Sequence, residues 1–506
     1  MNKANTGALT AEKFDFSCPF EVVCDHSMAE YYPEIRRVVS VTANPLPDSK
    51  FLSGNTLEFG GSVEFSMMYI GEDGSLSVLS CTAEYSERAA IPEEIRGVGE
   101  VAVDVSCVDT SFRVTAPRRV TLRAKLRARL VSDKEVSVTE TVMEGEKPAD
   151  MASARTVKTL RKSISTAKRG FTTQSYSASA EWKWAPGVKL ISCPGTVSVS
   201  EVKARSGAAT VCGDVILRCL VFNEKGIYTV EKIKMPFEEI ITCEGLAEGD
   251  MVCAYGAVAS AAVSEDMEGS GAFKGEAEFD MTLKWMRSGE CNILCDAYST
   301  AWEIERECLD ASAISPLCCV TSSLSVGGTG KRSRRGDAGE YLVAVDMAPT
   351  FESVTDDDGK AVFSGSLAVK AYVAGEGDVT LEEFTLPLKF ETRCEIGAGE
   401  ALWWATASVC DASGRLEGEG ISVNGELCVS ACAVRKNKVS PVTAVQLRKS
   451  EPRKAEECEI RVIYPDSNET LWDIAKSCGA DIDGVERVNS ASRTDTADFP
   501  VVIPIK

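Results

Sequence analysis

A histidine-centred catalytic site in this chain would have to be built around His26, its one histidine, which lies in a polar run with no companion nearby. Thiol chemistry has more raw material, since the chain has twenty cysteines. Cys291 and Cys295 are separated by three residues and Cys318 adjoins Cys319, but no second close pair follows at zinc-site spacing. Many of the others sit singly in apolar, strand-like runs (Cys81, Cys107, Cys219, Cys253, Cys410, Cys428) and read as reduced, buried small hydrophobes. The acidic pairs Glu93-Glu94, Glu238-Glu239 and Glu382-Glu383 suggest glycosidase carboxylates, yet adjacent strand residues point to opposite faces and cannot flank one bond. Asp356-Asp357-Asp358-Gly359 lacks the downstream glutamate of a calcium loop and reads as a hairpin turn. Gly327-Gly328-Thr329-Gly330-Lys331 fails as a phosphate loop, because Ser325 stands at the first glycine position and Arg332 follows the lysine. No catalytic residue, metal ligand set or cofactor is nominated, and the expectation is a protein that is not an enzyme.

Binding chemistry is more legible near the C-terminus. In Asn468-Glu469-Thr470-Leu471-Trp472-Asp473-Ile474-Ala475-Lys476-Ser477-Cys478-Gly479, the residues Leu471, Ile474, Ala475 and Cys478 form one apolar helical stripe. Thr470 and Asp473 have capping-box spacing, and Gly479 supplies a residue able to end the helix at positive φ. A second short helix fits residues 482–488. The runs Ile460-Arg461-Val462-Ile463-Tyr464 and Val501-Val502-Ile503 fit an opening and a closing strand, giving the order β-α-α-β. Aromatics that could anchor a partner are Trp182 with Trp184, Trp403 with Trp404, and Trp472; both pairs could equally be covered at domain–domain contacts, and Trp472 reads first as the plug of the small terminal core. On a strand, Trp403 and Trp404 must face opposite ways.

The elements in front of this segment repeat. Gly61-Ser62-Val63-Glu64-Phe65-Ser66-Met67-Met68-Tyr69 is echoed by Gly213-Asp214-Val215-Ile216-Leu217-Arg218-Cys219-Leu220-Val221 and by Gly365-Ser366-Leu367-Ala368-Val369-Lys370-Ala371-Tyr372-Val373, about 150 residues apart. Each runs into a polar turn (Gly71-Glu72-Asp73-Gly74, Asn223-Glu224-Lys225-Gly226, Gly375-Glu376-Gly377-Asp378) and so reads as half of a hairpin. Ile91-Pro92-Glu93-Glu94-Ile95 aligns with Met235-Pro236-Phe237-Glu238-Glu239-Ile240 and Leu386-Pro387-Leu388-Lys389-Phe390; the proline marks an edge position because it cannot donate to a ladder. Gly99-Glu100, Gly249-Asp250 and Gly399-Glu400 then lead further β-rich runs. The expected fold is mainly β: three tandem antiparallel β-sandwich-like repeat domains followed by a small β-α-α-β module. The boundaries are a tail at 1–20, a first repeat at 21–150, a basic linker at 151–172, a second repeat at 173–310, a linker at 311–338, a third repeat at 339–448, a linker at 449–458 and the terminal module at 459–506. The basic stretches Arg155-Thr156-Val157-Lys158-Thr159-Leu160-Arg161-Lys162, with Lys168-Arg169, and Lys331-Arg332-Ser333-Arg334-Arg335 are solvated connectors, or docking points for an acidic surface, anionic lipid or a partner.

A formal charge of −21 disfavours nucleic acid as a ligand and favours association with basic protein surfaces. The first nine residues lack the plan of a secretion signal, residues 1–13 have no assignable role, and no run of about 18 apolar residues suggests a transmembrane segment. A cytoplasmic protein is the expectation.

Two resemblances sharpen this reading. The segment from 461 to 506 resembles a LysM module, in which Thr470, Leu471, Trp472, Ile474, Ala475, Gly479, Asn489, Ile503 and Pro504 fall in place, while Asn468-Glu469 replaces the usual Gly-Asp turn and Asp498 the usual Gly. The run Tyr32-Pro33-Glu34-Ile35-Arg36-Arg37-Val38-Val39-Ser40-Val41, the Gly-led hairpin and the Pro-Phe-Glu-Glu-Ile element resemble the SPOCS domain of clostridial spore-coat assembly proteins. The combination implies a non-enzymatic structural adaptor in the mother-cell cytoplasm, in peripheral contact with the outer membrane of the forespore. It implies that the LysM-like module recruits the ATPase of the coat basement layer (SpoIVA-like), with Asn468, Glu469, Thr470, Leu471, Trp472 and Asn489 as the partner-binding residues. The alternative implied by the LysM family is a cell-wall protein binding peptidoglycan, a polymer containing N-acetylglucosamine, through the groove those residues line.

Overall fold

The computed structural model describes residues 9–90, 101–136, 140–185, 187–223, 225–265, 271–333, 339–375, 378–394, 396, 400–453, 460–497 and 499–504. The aligned segment 91–95 and the residues Gly99, Glu100, Glu224, Arg334, Arg335, Glu376, Gly377, Gly399 and Asp498 lie outside them. The chain is mainly β, in antiparallel sheets.

Period-two alternation makes the first sandwich. Its strands are β1 (Leu9–Ser27), β2 (Ile35–Ser53), β3 (Thr56–Gly71), β4 (Leu76–Ala90), β5 (Ala102–Ala116) and β6 (Arg119–Val136). On β6, Val120, Leu122, Ala124, Leu126, Ala128 and Leu130 are all buried while the arginines and lysine between them are exposed. That face meets Phe59, Val63, Phe65, Met67 and Tyr69 across the core. One sheet is β1-β6-β5 and the other β2-β3-β4.

Two short strands, β7 (Thr141–Glu144) and β8 (Lys147–Pro148), and one helical turn, α1 (Met151–Ala154), lead to the second sandwich. It comprises β9 (Val157–Lys183), β10 (Lys189–Ser192), β11 (Gly195–Arg205), β12 (Ala208–Phe222), β13 (Tyr228–Thr242), β14 (Met251–Glu265) and β15 (Ala272–Ser299). After β16 (Trp302–Cys308) come β17 (Ala311–Lys331), β18 (Tyr341–Asp357), β19 (Lys360–Gly375), β20 (Asp378–Thr392), β21 (Glu400–Glu417) and β22 (Gly420–Val439). The pairings β9-β15-β14 and β17-β22-β21 face the meanders β11-β12-β13 and β18-β19-β20, so one strand order occurs three times. The chain closes with β23 (Val442–Pro452), β24 (Ile460–Ile463), α2 (Leu471–Cys478), α3 (Ile482–Asn489) and β25 (Val501–Pro504).

The stretches expected to be connectors are strands. Residues 157–172 open β9, paired along their length with β15, and 311–331 form β17, paired with β22, so ladder pairing with a distant strand makes strands of them. Residues 9–20 are no tail: β1 pairs with β6, and Leu9 is buried against Cys291, Ile293, Ala311 and Ala313. The linker at 449–458 begins as the end of β23. Nor do the three units stand apart as beads. Thr10 pairs with Ser312, fusing first and third units into a six-stranded sheet, and β16-β23-β7-β8 is assembled from segments between units, with β23 parallel to β7.

The register also explains the glycine echo. Gly61, Gly213 and Gly365 each face a bulge in the preceding strand, at Pro47/Ser49, Val199/Glu201 and Phe351/Ser353. A Cβ would come within 2.1 Å of the Ser198 carbonyl at Gly213 and 1.9 Å of the Thr350 carbonyl at Gly365, so backbone approach excludes any side chain. It corrects the proline alignment. Pro236 faces Asp214 and Pro387 faces Ser366, both on edge strands, but the matching position opposite Ser62 is Glu84, not Pro92.

At one end of each meander, equivalent turns converge. Ile70, Leu76, Leu220, Val343, Tyr372 and Val379 share a core. The Leu76 N–H donates to the Tyr228 hydroxyl (3.0 Å), the Tyr228 N–H to the Tyr341 hydroxyl (3.1 Å), and the Arg37 guanidinium to Asp378 Oδ1 (2.6 Å) and the Val379 carbonyl (2.5 Å). Unit one thus touches two, two touches three, and three touches one.

Candidate functional site

Helix α2 begins at Thr470, whose hydroxyl accepts from the Asp473 N–H while the Asp473 carboxylate accepts from the Thr470 N–H at 3.1 Å. It ends at Gly479, with φ of 65°. These bonds satisfy donors and acceptors that a helix end leaves open. Leu471, Trp472, Ile474 and Ala475 point into a small core with Ile482, Val485, Val501 and Ile503.

Trp472 is 1% exposed and so is no exposed anchor. Its ring meets Tyr298 of β15 edge-on at 4.9 Å, and its Nε1–H donates to Asp296 Oδ2 at 2.8 Å. Leu471 is buried as well. Asn489 is a structural clamp: its amide N–H donates to the Val502 carbonyl at 2.7 Å and to that of Val485 at 2.8 Å, and its oxygen accepts from the Val502 N–H at 2.8 Å. One amide thereby ties α3 to β25. Thr470 is engaged in its cap. Of the six residues nominated from the sequence, Asn468 remains exposed, in the left-handed region at φ 71°, beside half-buried Glu469. Glu469 accepts from the Asp466 N–H at 3.0 Å and, through its carbonyl, from the Ala497 N–H at 2.9 Å. The Trp472 N–H donates to the Arg493 carbonyl at 3.0 Å, and Thr470 bridges Thr496. The two loops that would flank a sugar groove are therefore hydrogen-bonded to each other.

The seat of this module was not legible in the sequence. Asp296 receives Trp472 and the Lys476 ammonium (2.6 Å), and also pairs with Arg306. Burial opposes its ionisation, but the hydrogen bonds from Lys476 and Trp472 and the positive charge of Lys476 and Arg306 outweigh it and hold the carboxyl below its usual range. The Tyr298 hydroxyl donates to the Ala480 carbonyl at 2.6 Å, and burial raises its pKa. Lys158, in the supposed basic linker, pairs with Asp481 (2.5 Å) and Asp483 (3.0 Å) at the start of α3. Arg493 donates to the Thr159 carbonyl at 3.3 Å and to Glu486. Arg453 donates to the Lys476 carbonyl at 2.9 Å, a cation at the negative end of α2. No local pattern marks Asp296 or Tyr298, which lie in an ordinary strand; only the surplus of cations around Lys158 gave a signal.

The outer face of the module stays open. Ile460, Val462 and Tyr464 alternate along and just beyond β24 and are 65%, 52% and 79% exposed, with Asp466, Ser467 and Asn468 next in the chain also exposed.

The other nominated aromatics are covered. Trp182 and Trp184 pack on each other and on Phe273. Trp403 meets Phe363 inside the third sandwich, whereas Trp404 faces out and is capped by Tyr255 (4.7 Å) and Lys284 (3.4 Å from its centroid) of the second. Arg332 is buried against Glu340 at 2.6 Å, while Ser333 donates to Glu382. Glu383, its sequence neighbour, points away toward Lys370, as strand alternation requires. Asp358 and Gly359 both have positive φ in the two-residue β18–β19 turn. His26 sits half-buried on β1 opposite Val120. Among the described residues every cysteine is a free thiol, no group of three or more His, Cys, Asp or Glu is placed to hold a metal ion, and no helix is long and apolar enough to cross a membrane.

Comparison with known proteins returned nothing: no family model, no curated protein and no solved structure matches the chain.

Proposed function

We propose that this protein is a non-enzymatic structural adaptor for the assembly of a spore coat, built of three SPOCS-like sandwiches and a LysM-like terminal module. In this reading it works at the forespore surface, on the mother-cell side, and recruits the SpoIVA-like ATPase of the basement layer. The observation that carries the reading is how the terminal module is held. Its buried face, Trp472 included, is locked on Asp296 and Tyr298, while Ile460, Val462, Tyr464 and Asn468 stay outward. A docked module with an open apolar-and-polar face suits capture of a protein surface, where aromatic anchors contribute most of the affinity. Rigid sandwiches linked in a closed triangle suit a scaffold that must hold that module at a fixed orientation.

The gripping residues in this reading are Tyr464, Val462, Asn468 and Glu469, not Leu471, Trp472 or Asn489. The full-length chain and its Tyr464→Arg and Val462→Glu variants are to be tested for co-purification with the coat ATPase and for sedimentation with peptidoglycan. Loss of ATPase capture in both variants, with unchanged circular dichroism, is the expected result. Firm sedimentation with peptidoglycan, without ATPase capture by the unaltered chain, would replace the adaptor reading with the wall-binding one.

A further inference from the structure

Three cysteines meet where the second sandwich touches the third. Cys319 on β17 and Cys432 on β22 are register partners. Cys253 comes from β14 of the other sandwich and precedes Ala254, whose N–H donates to Thr321 Oγ1 at 3.1 Å and whose carbonyl accepts from Ser430 Oγ at 2.6 Å. Those bonds fix β14 over β17 and β22 and set Cys253, the register partner of Lys284, beside the Cys319–Cys432 pair. Lys284 closes the cluster. Its carbonyl accepts from Cys319 Sγ at 3.7 Å, and its ammonium lies against the Trp404 ring. The hydrogen bonds from Cys253 and Cys319, with the nearby charges of Lys284 and Arg169, hold the Cys432 thiol well below its ordinary range, against the effect of burial. A stabilised thiolate is the nucleophilic form of cysteine.

We propose that Cys432 and Cys253 form an oxidisable latch, in which hydrogen peroxide drives a disulfide that ties the second sandwich to the third. The Cys432 thiolate attacks one peroxide oxygen, the O–O bond breaks, and hydroxide leaves a sulfenic acid on Cys432. Cys253 then loses its proton and attacks that sulfur; the S–O bond breaks and water departs. Two thiols and one peroxide give one disulfide and two waters. Cys319 is the poorer partner on geometry. Directly opposed residues of a ladder hold their Cβ atoms about 4.5–5.5 Å apart, wider than the roughly 3.8 Å typical of a disulfide. Cys253 lies on β14, outside that ladder, and its disulfide to Cys432 would join the two sandwiches.

The experiment uses the reduced full-length chain, treated with hydrogen peroxide, alkylated and mapped by mass spectrometry without reduction. A linked peptide joining Cys253 to Cys432 is expected, with a rise in thermal midpoint that dithiothreitol reverses. In Cys432→Ser and in Cys253→Ser both the link and the rise should be lost. Mapping the unaltered chain decides the matter even where a variant does not fold. A Cys319–Cys432 link, or oxidation of exposed Cys308 with all three cluster thiols still reduced, would overturn the proposal.

Discussion

Asn489 and Asp296 show how single side chains hold the terminal module, and each carries a prediction. Asn489→Ala leaves the Val502 N–H and C=O without their amide partner. The expected cost is about 1–3 kcal/mol of local stability, read as faster hydrogen exchange in β25 and α3 with the sandwiches unchanged. Asp296 predicts an acid limb. Its carboxyl pKa is depressed when the module is seated, so its contribution is complete above the free value of about 3.9 and fades as pH falls through the seated value. Hydrogen-exchange protection of α2, corrected for intrinsic rates, should therefore fall below about pH 4. Asp296→Asn should lower protection at neutral pH and abolish that limb; an unchanged acid profile would assign the transition to another group.

At the scale of elements, the bulge-facing glycines set the shape of each meander. Gly365→Ala would place a Cβ 1.9 Å from the Thr350 carbonyl, so the β18–β19 ladder must open. A loss of about 1–3 kcal/mol is expected, measured by urea denaturation. At Gly289, where the nearest atom to an added Cβ is Thr166 Oγ1 at 3.3 Å, alanine should cost far less. Equal effects at the two sites would mean that the bulge does not constrain its partner. The long β9–β15 ladder has a second role. Beyond its own sandwich it supplies Leu160, Asp296 and Tyr298 as the platform for the terminal module.

For the molecule as a whole, the three units close head to tail through Tyr228, Tyr341 and Arg37. The six-stranded sheet and the shared core of Ile70, Leu220 and Tyr372 couple them further. Calorimetry should accordingly show one dominant unfolding transition instead of three independent ones. Tyr341→Phe together with Arg37→Ala should split or broaden it. If the unaltered chain already melts in three well-separated steps, the closed triangle does not hold in solution.

Sequence alone was enough for whatever depends on neighbours in the chain. The Thr470/Asp473 cap, the Gly479 stop, the Asp358-Gly359 turn and the alternation that parts Trp403 from Trp404 are local, set by backbone sterics and period. It also revealed the echo of Gly61, Gly213 and Gly365, though not its cause, which lies in a bulge on another strand. Tertiary structure decided everything that joins distant segments. Basic residues at 155–162 read as a connector because charge is usually solvated, yet there the ladder with β15 and the acidic start of α3 consume it. The sequence favoured Trp472 as the plug of a small core but left a groove open, since an amphipathic helix does not say what covers its apolar face. Asp296, 176 residues earlier in the chain, settles that question with one hydrogen bond.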